Sequence, residues 1–188
     1  MDSFIRRYTT ENTIDCEHAI HWFEKNIHMA SPGRVRDEHG QVVIKEAKES
    51  LDISLCVEDL YTIPCFENLL NSLWKSILAY IKEFKLDGFN FSMTEKVNIQ
   101  KYIPPNGGFK EYHCERSCVN TTTRMLVWMI YLNDLTDAGG THFKYLNHTE
   151  DAVKGKILIW PPDFTHTHKG VVSPTQSKYI ITGWYNFI

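Results

Sequence analysis

What this 188-residue chain lacks narrows it first. Its five cysteines (Cys16, Cys56, Cys65, Cys114 and Cys118) are odd in number and scattered, with no CxxC pair. That argues against a disulfide framework and a structural zinc cluster, and predicts reduced thiols. The opening stretch MDSFIRRYTTENTID has no apolar core of the kind a signal peptide carries, and no apolar run approaches the ~20 residues of a membrane span. The expectation is a soluble, cytoplasmic protein, in which the N-x-[ST] patterns at Asn90, Asn120 and Asn147 are chance matches. Excess positive charge is absent too: the formal net charge is -3 and the pI about 6.3, so nucleic acid is not an expected partner. Internal repeats, low-complexity segments and long Gly/Pro linkers are missing, which predicts one domain spanning residues 1–188. No feature of the sequence fixes an oligomeric state.

What is present changes character along the chain. Ile20, Phe23 and Ile27 predict a helix over 14–28, with Thr13 or Asp15 to cap it and SPG at 31–33 to end it. Leu69, Leu70, Leu73, Trp74, Ile77, Leu78, Ile81 and Phe84 recur at three- and four-residue spacing and predict a longer helix over about 59–84. Between them Leu51, Ile53 and Leu55 alternate with polar residues, the period of a half-buried strand. Past LDG at 86–88 come short β-rich runs separated by PPNGG, DLTDAGG and VSPTQ. They are NFSMTEKVNIQKYI, EYHCERS, RMLVWMIYLN, THFKYL, KILIWP, HTHKGVV and SKYIITGWYNFI. The fold class expected is α+β with a mainly β core, a sandwich or barrel, preceded by helices.

The chemistry begins in EYHCERS. On a strand, His113 and Glu115 lie two apart and face one side, with Cys114 on the other. An imidazole and a carboxylate so placed are half of a metal site. One more histidine from a distant strand would complete a two-histidine, one-carboxylate set with open coordination positions, the arrangement of non-haem Fe(II) oxygenases. FTHTHKG at 164–170 offers two, His166 and His168, which on a strand would share a face. An H-x-E pair alone carries little weight, because such pairs on strand edges are usually solvated.

The surroundings carry more. YIPPNGGFKEYHCERS, RMLVWMIYLND, GGTHF, GKILIWP and HKG followed by SKYIITGW resemble, in order and spacing, the catalytic core of the Fe(II)/2-oxoglutarate-dependent dioxygenase superfamily, and most of all its prolyl 4-hydroxylase-like branch. The resemblance spans about residues 98–188. It implies a double-stranded β-helix, or jelly roll, over 89–188, with residues 1–88 as mostly helical support plus early strands. It implies Fe(II) held by His113, Glu115 and a distal histidine, Glu115 being a variant of the family's H-x-D aspartate. In the family a basic residue follows the distal ligand by about ten positions. Lys178 resembles that residue and follows His168 by ten and His166 by twelve. His168 is therefore the expected ligand, with His166 as the alternative. Lys178 is expected to anchor the distal carboxylate of 2-oxoglutarate, with Tyr131, Thr182 and Tyr102 as hydrogen-bonding neighbours. Trp184 reads as core filling, His142 as a loop residue, and Arg124 as either a support of the site or a substrate contact.

The implied activity is hydroxylation of a substrate C–H bond with O2 as co-substrate, succinate and CO2 as co-products, and ascorbate to sustain turnover. The implied substrate is a peptidyl proline in a protein or peptide, with a free amino acid or other small molecule as the alternative. Two rivals stay open: a jelly-roll enzyme using zinc or manganese without 2-oxoglutarate, against which Lys178 speaks, and a binding domain without turnover, which Glu115 keeps in view.

Overall fold

The structure, a computed structural model, describes residues 3–36, 41–43 and 46–188. The strands are β1 (Arg6–Thr9), β2 (Ser31–Pro32), β3 (Val35–Arg36), β4 (Val42–Val43), β5 (Lys48–Glu49), β6 (Leu51–Leu55), β7 (Phe91–Ser92), β8 (Val97–Tyr102), β9 (Gly108–Phe109), β10 (Arg124–Tyr131), β11 (Thr141–Phe143), β12 (His148–Glu150), β13 (Lys156–Trp160), β14 (His168–Gly170) and β15 (Lys178–Phe187). The helices are α1 (Ile14–Lys25), α2 (Val57–Leu60) and α3 (Pro64–Phe84). The single helix expected over 59–84 is two, because Pro64 has no N–H to continue a helix and instead starts a new one at its first turn. Trp74 and Leu78, though on the periodic stripe, are each 47% exposed, since the helix beds on the sheet through Leu69, Leu70, Leu73 and Ile77.

The main sheet runs β1-β13-β10-β15-β8-β6-β2, with β7 on the end of β15, and a smaller sheet runs β12-β11-β14. Every pairing in both is antiparallel. Together they form the double-stranded β-helix. Alternation along β10 shows how the sequence builds two cores at once. Leu126, Trp128 and Ile130 face the helices with Phe23, Phe66, Leu73 and Ile77, whereas Val127, Met129 and Tyr131 face the barrel interior with Phe143, Leu158 and Trp160. Hence MLVWMIY, after Arg124, reads as one unbroken apolar run: the strand is buried on both faces, and each large side chain so buried contributes about 1.5–3 kcal/mol. Directly across from Trp128 sits Gly183, where an added Cβ would fall 2.7 Å from the indole. On β15, Ile181 and Tyr185 join the helix-side core, so Lys178, Ile180, Thr182 and Trp184 all face inward and line one cavity. No helix among the described residues is long and apolar enough to cross a membrane, and none of the five cysteines is in a disulfide.

Candidate active site

That cavity, of about 590 Å³, lies between the two sheets and is lined by His113, Glu115 and His168 as well as by the inward face of β15. EYHCERS is not the strand its pattern suggests. Only His113 pairs, in a bridge to His168 with N–H···O distances of 2.9 Å in both directions. The chain then bends so that the N–H groups of Glu115 and Arg116 both donate to the Pro162 carbonyl, at 3.0 Å each. The bend still delivers both side chains to one point. His113 Nε2 lies 3.4 Å from Glu115 Oε1 and His168 Nε2 lies 3.6 Å from the same oxygen. The three donors lie within 4.8 Å of one another, a spacing that suits one cation.

The remaining ring nitrogens are already committed. His113 Nδ1 is 3.0 Å from the Glu111 carbonyl and His168 Nδ1 is 2.9 Å from that of His166. A carbonyl only accepts, so each Nδ1 carries a proton, and each Nε2, directed at Glu115, is the nitrogen left to meet a cation. The rings are held besides by stacking: Phe109 lies on His113 at 3.6 Å with planes 10° apart, and Trp160 meets His168 edge-on at 5.1 Å. Burial would raise the Glu115 carboxyl, but its hydrogen bonds with His113 and His168 hold it well below the ordinary value. Burial, with the neighbouring His113, lowers His168. One carboxylate and two imidazole Nε2 atoms converging on a point make the donor set a divalent cation takes, so these residues fit Fe(II).

His166 stands outside this group. It sits in the short turn Phe164–His166, with its ring on the Thr165 hydroxyl at 2.9 Å. What it gives the site is its backbone carbonyl, which orients His168. His142 is on β11 rather than in a loop, paired across from Lys169 with its ring on the Thr149 hydroxyl.

At the cavity's other end Lys178 is 6% exposed, with its Nζ 5.5 Å from the Tyr102 ring centre and 5.3 Å from that of Tyr131. It has no carboxylate and no hydrogen-bond acceptor among the described residues, and burial pushes it down to about 7. An unpartnered buried ammonium facing a cavity fits the far carboxylate of a dicarboxylate. Tyr102 lines the cavity and donates its hydroxyl to Gln100 at 2.9 Å. Thr182 lines it as well, with its hydroxyl turned back onto the Trp128 carbonyl at 2.8 Å. Tyr131 lies behind the wall, 2.6 Å from the Thr141 hydroxyl, and Thr141 rather than Tyr131 lines the space.

Other wall residues go beyond the reading from sequence, and for Arg124 the first of its two readings, a support of the site, is the one its contacts favour. Trp184 packs against the inner core, as expected, but its indole N–H also donates to Glu115 Oε2 at 3.0 Å. Arg124 donates to the same oxygen at 3.1 Å and to the Glu115 carbonyl at 2.9 Å, lies 3.6 Å over the Trp184 ring, and is itself braced by Glu95 at 2.6 and 2.8 Å. The inward alternation from Lys178 through Thr182 to Trp184 was the available signal. From the N-terminal half come Lys48 and Asp52, paired at 2.6 Å with Gln100 donating to Asp52 at 3.0 Å. The loop PPNGGFKEY is fastened across the site by the β5–β9 pairing and by the Lys110 N–H on the Ala47 carbonyl.

Residues 97–186 match the family described as the 2OG-Fe(II) oxygenase superfamily. Among solved structures the chain is similar to a viral collagen prolyl hydroxylase from Paramecium bursaria Chlorella virus-1 in complex with 2OG, at 15% identity over 99% of this chain and 97% of that one, TM-score 0.67. It is similar to a Pseudomonas putida prolyl-4-hydroxylase at 14% identity over 98% and 93%, TM-score 0.73. It is also similar to a Trichoplax adhaerens prolyl hydroxylase in complex with a hypoxia inducible factor peptide fragment, at 13% identity over 98% and 84%, TM-score 0.76. At these identities the likeness is one of fold. Curated protein sequences give no match.

Proposed function

We propose that this chain, whose residues 97–186 match the 2OG-Fe(II) oxygenase superfamily, is a 2-oxoglutarate-dependent dioxygenase, and we assign it a substrate and a division of labour. In this reading His113, Glu115 and His168 hold Fe(II), Lys178 anchors the far carboxylate of 2-oxoglutarate, and the substrate is a peptidyl proline. Fe(II), 2-oxoglutarate and O2 together supply the oxidation that hydroxylates a C–H bond and leaves succinate and CO2. The chain's own contribution is placement. The two Nε2 atoms and Oε1 converge on one point, the amine of Lys178 sits in the same cavity, and Phe109 packs on the His113 ring while Trp160 and Phe143 pack on that of His168. The single observation that carries the reading is this pairing of a ready donor set with an unpartnered buried cation.

The prolyl assignment is supported by the prolyl hydroxylases that share the fold, one of them holding a peptide. The buried Lys48–Asp52 pair on the cavity wall favours a second reading, a free amino acid, because it presents both charges to the cavity. Five cysteines outside any disulfide support a reducing, cytoplasmic setting. The test is to mix the metal-free protein with Fe(II) and 2-oxoglutarate without oxygen and look for the visible metal-to-ligand charge-transfer band. Oxygen is then admitted, with and without ascorbate, alongside proline-containing peptides and free amino acids. The expected result is a band, then succinate, then a peptide heavier by one oxygen atom. Hydroxylated free amino acid in its place moves the assignment to the second reading. A missing band, with tight zinc or manganese binding instead, overturns both.

A further inference from the structure

The two oxygens of Glu115 have different neighbours. Oε1 faces both imidazole Nε2 atoms, at 3.4 and 3.6 Å, while Oε2 takes two hydrogen bonds from the side, Trp184 Nε1 at 3.0 Å and Arg124 Nη1 at 3.1 Å. The same Arg124 nitrogen holds the Glu115 backbone carbonyl at 2.9 Å, and the Glu115 N–H is fixed on Pro162 at 3.0 Å. The clamp is rigid in turn, since the guanidinium stacks 3.6 Å over the indole and its other nitrogens are held by Glu95, which Asn186 also binds at 2.9 Å.

We infer that Arg124 and Trp184 are positioning residues that fasten Oε2 of Glu115, so that the carboxylate meets the metal through Oε1 alone and the full length of the glutamate is required. This rests on His113, Glu115 and His168 being the ligands. The physical reason is reach. With the backbone pinned at both its N–H and its carbonyl, a side chain one methylene shorter cannot touch Trp184 and Arg124 and still face the two Nε2 atoms. A glutamate without the clamp would keep several free rotamers and would have to lose them on binding the ion. Partners that orient a ligand in this way typically change metal affinity 10–100-fold.

The full chain stripped of metal is titrated with Co(II), followed by its visible absorption, and each variant's metal-free melting curve and far-UV circular dichroism are recorded alongside. Trp184→Phe, which keeps the ring under Arg124 but loses the N–H, is expected to bind Co(II) about tenfold more weakly and to change the absorption band. Arg124→Lys is expected to do the same, and Trp184→Phe carries the test alone should that variant not fold. Glu115→Asp is expected to lose about tenfold or more, and in the Trp184→Phe background to lose clearly less, because both changes act through one carboxylate. Wild-type affinity and spectrum in Trp184→Phe, or strict additivity with Glu115→Asp, overturns the clamp. If His168→Ala also binds Co(II) like the wild type, it is the ligand assignment that has failed.

Discussion

The two ends of the cavity are built on opposite electrostatic plans. At the metal end each Nδ1 has a carbonyl, Glu115 Oε2 has two donors, and the two Nε2 atoms and Oε1 are left to converge on one point. At the Lys178 end an amine is taken out of water beside two tyrosine rings, which pushes it down to about 7, and is given no counter-ion among the described residues. A small ion without directionality of its own needs donors fixed in advance. A flexible dicarboxylate brings its own charge and completes its site on arrival. Pre-organisation at one end and unmet demand at the other divide the work of binding.

The largest effects should come from breaking the metal end. His113→Ala, Glu115→Ala and His168→Ala are each expected to abolish both Co(II) binding and succinate formation. His166→Ala leaves the carbonyl that orients His168 in place and is expected to keep wild-type metal affinity. A dead His166→Ala beside an active His168→Ala would reverse the assignment of the distal ligand.

Next comes the Lys178 end, where the same logic predicts opposite signs for stability and binding. Lys178→Met should lose 2-oxoglutarate binding while melting a few degrees higher than the wild type without ligand, because a buried charge with no partner is replaced by an apolar chain of similar size. The folded value of Lys178, about 7, lies below its unfolded value of 10.5. Over that window the unfolded chain binds the extra proton, so this residue makes stability rise with pH. Melting temperatures measured across the window should therefore climb more steeply in the wild type than in Lys178→Met. Equal slopes would mean that the amine is not in fact desolvated.

The pH dependence of binding sharpens the contrast. A carboxylate prefers the ammonium form, so 2-oxoglutarate affinity should fall as pH rises above about 7, approaching tenfold per unit. Metal affinity should fall in the other direction, as pH drops through the value of His168, which burial and His113 set below that of an ordinary histidine. Calorimetric titrations of each ligand across pH read both trends. A common sign would contradict the division between the two ends.

These ends were not equally legible in the sequence. The resemblance named Lys178 and Thr182, and alternation along β15 carries both to the cavity face; RMLVWMIYLN, read as a β-rich run, contains β10. The bend after His113 was not visible, because it depends on the Pro162 carbonyl accepting two N–H groups from a segment nearly fifty positions earlier. The clamp on Glu115 was hidden for a like reason. Trp184 lies 69 residues from its partner, and no periodicity carries that contact. Lys48 and Asp52 come from the N-terminal half, outside the stretch whose motifs were informative, and reach the cavity because β5 pairs with β9 and β6 with β8.

The smallest expected effect is at Tyr131. Its hydroxyl is fully buried and spent on Thr141 at 2.6 Å, and only Thr141 lines the cavity. Burial pushes that phenol far up, so it stays protonated across the working range and contributes a hydrogen bond rather than a charge. Tyr131→Phe is then expected to cost about 1 kcal/mol of stability and to weaken 2-oxoglutarate by no more than about threefold, through the freed rotation of the Thr141 hydroxyl. A chemical-denaturation curve and a 2-oxoglutarate titration measure the two quantities on one sample. Were Tyr131→Phe to weaken 2-oxoglutarate as severely as Lys178→Met, the phenol would have to touch the co-substrate directly. The Lys178 end would then be a pre-built hydrogen-bonding pocket like the metal end, rather than a charge awaiting its partner.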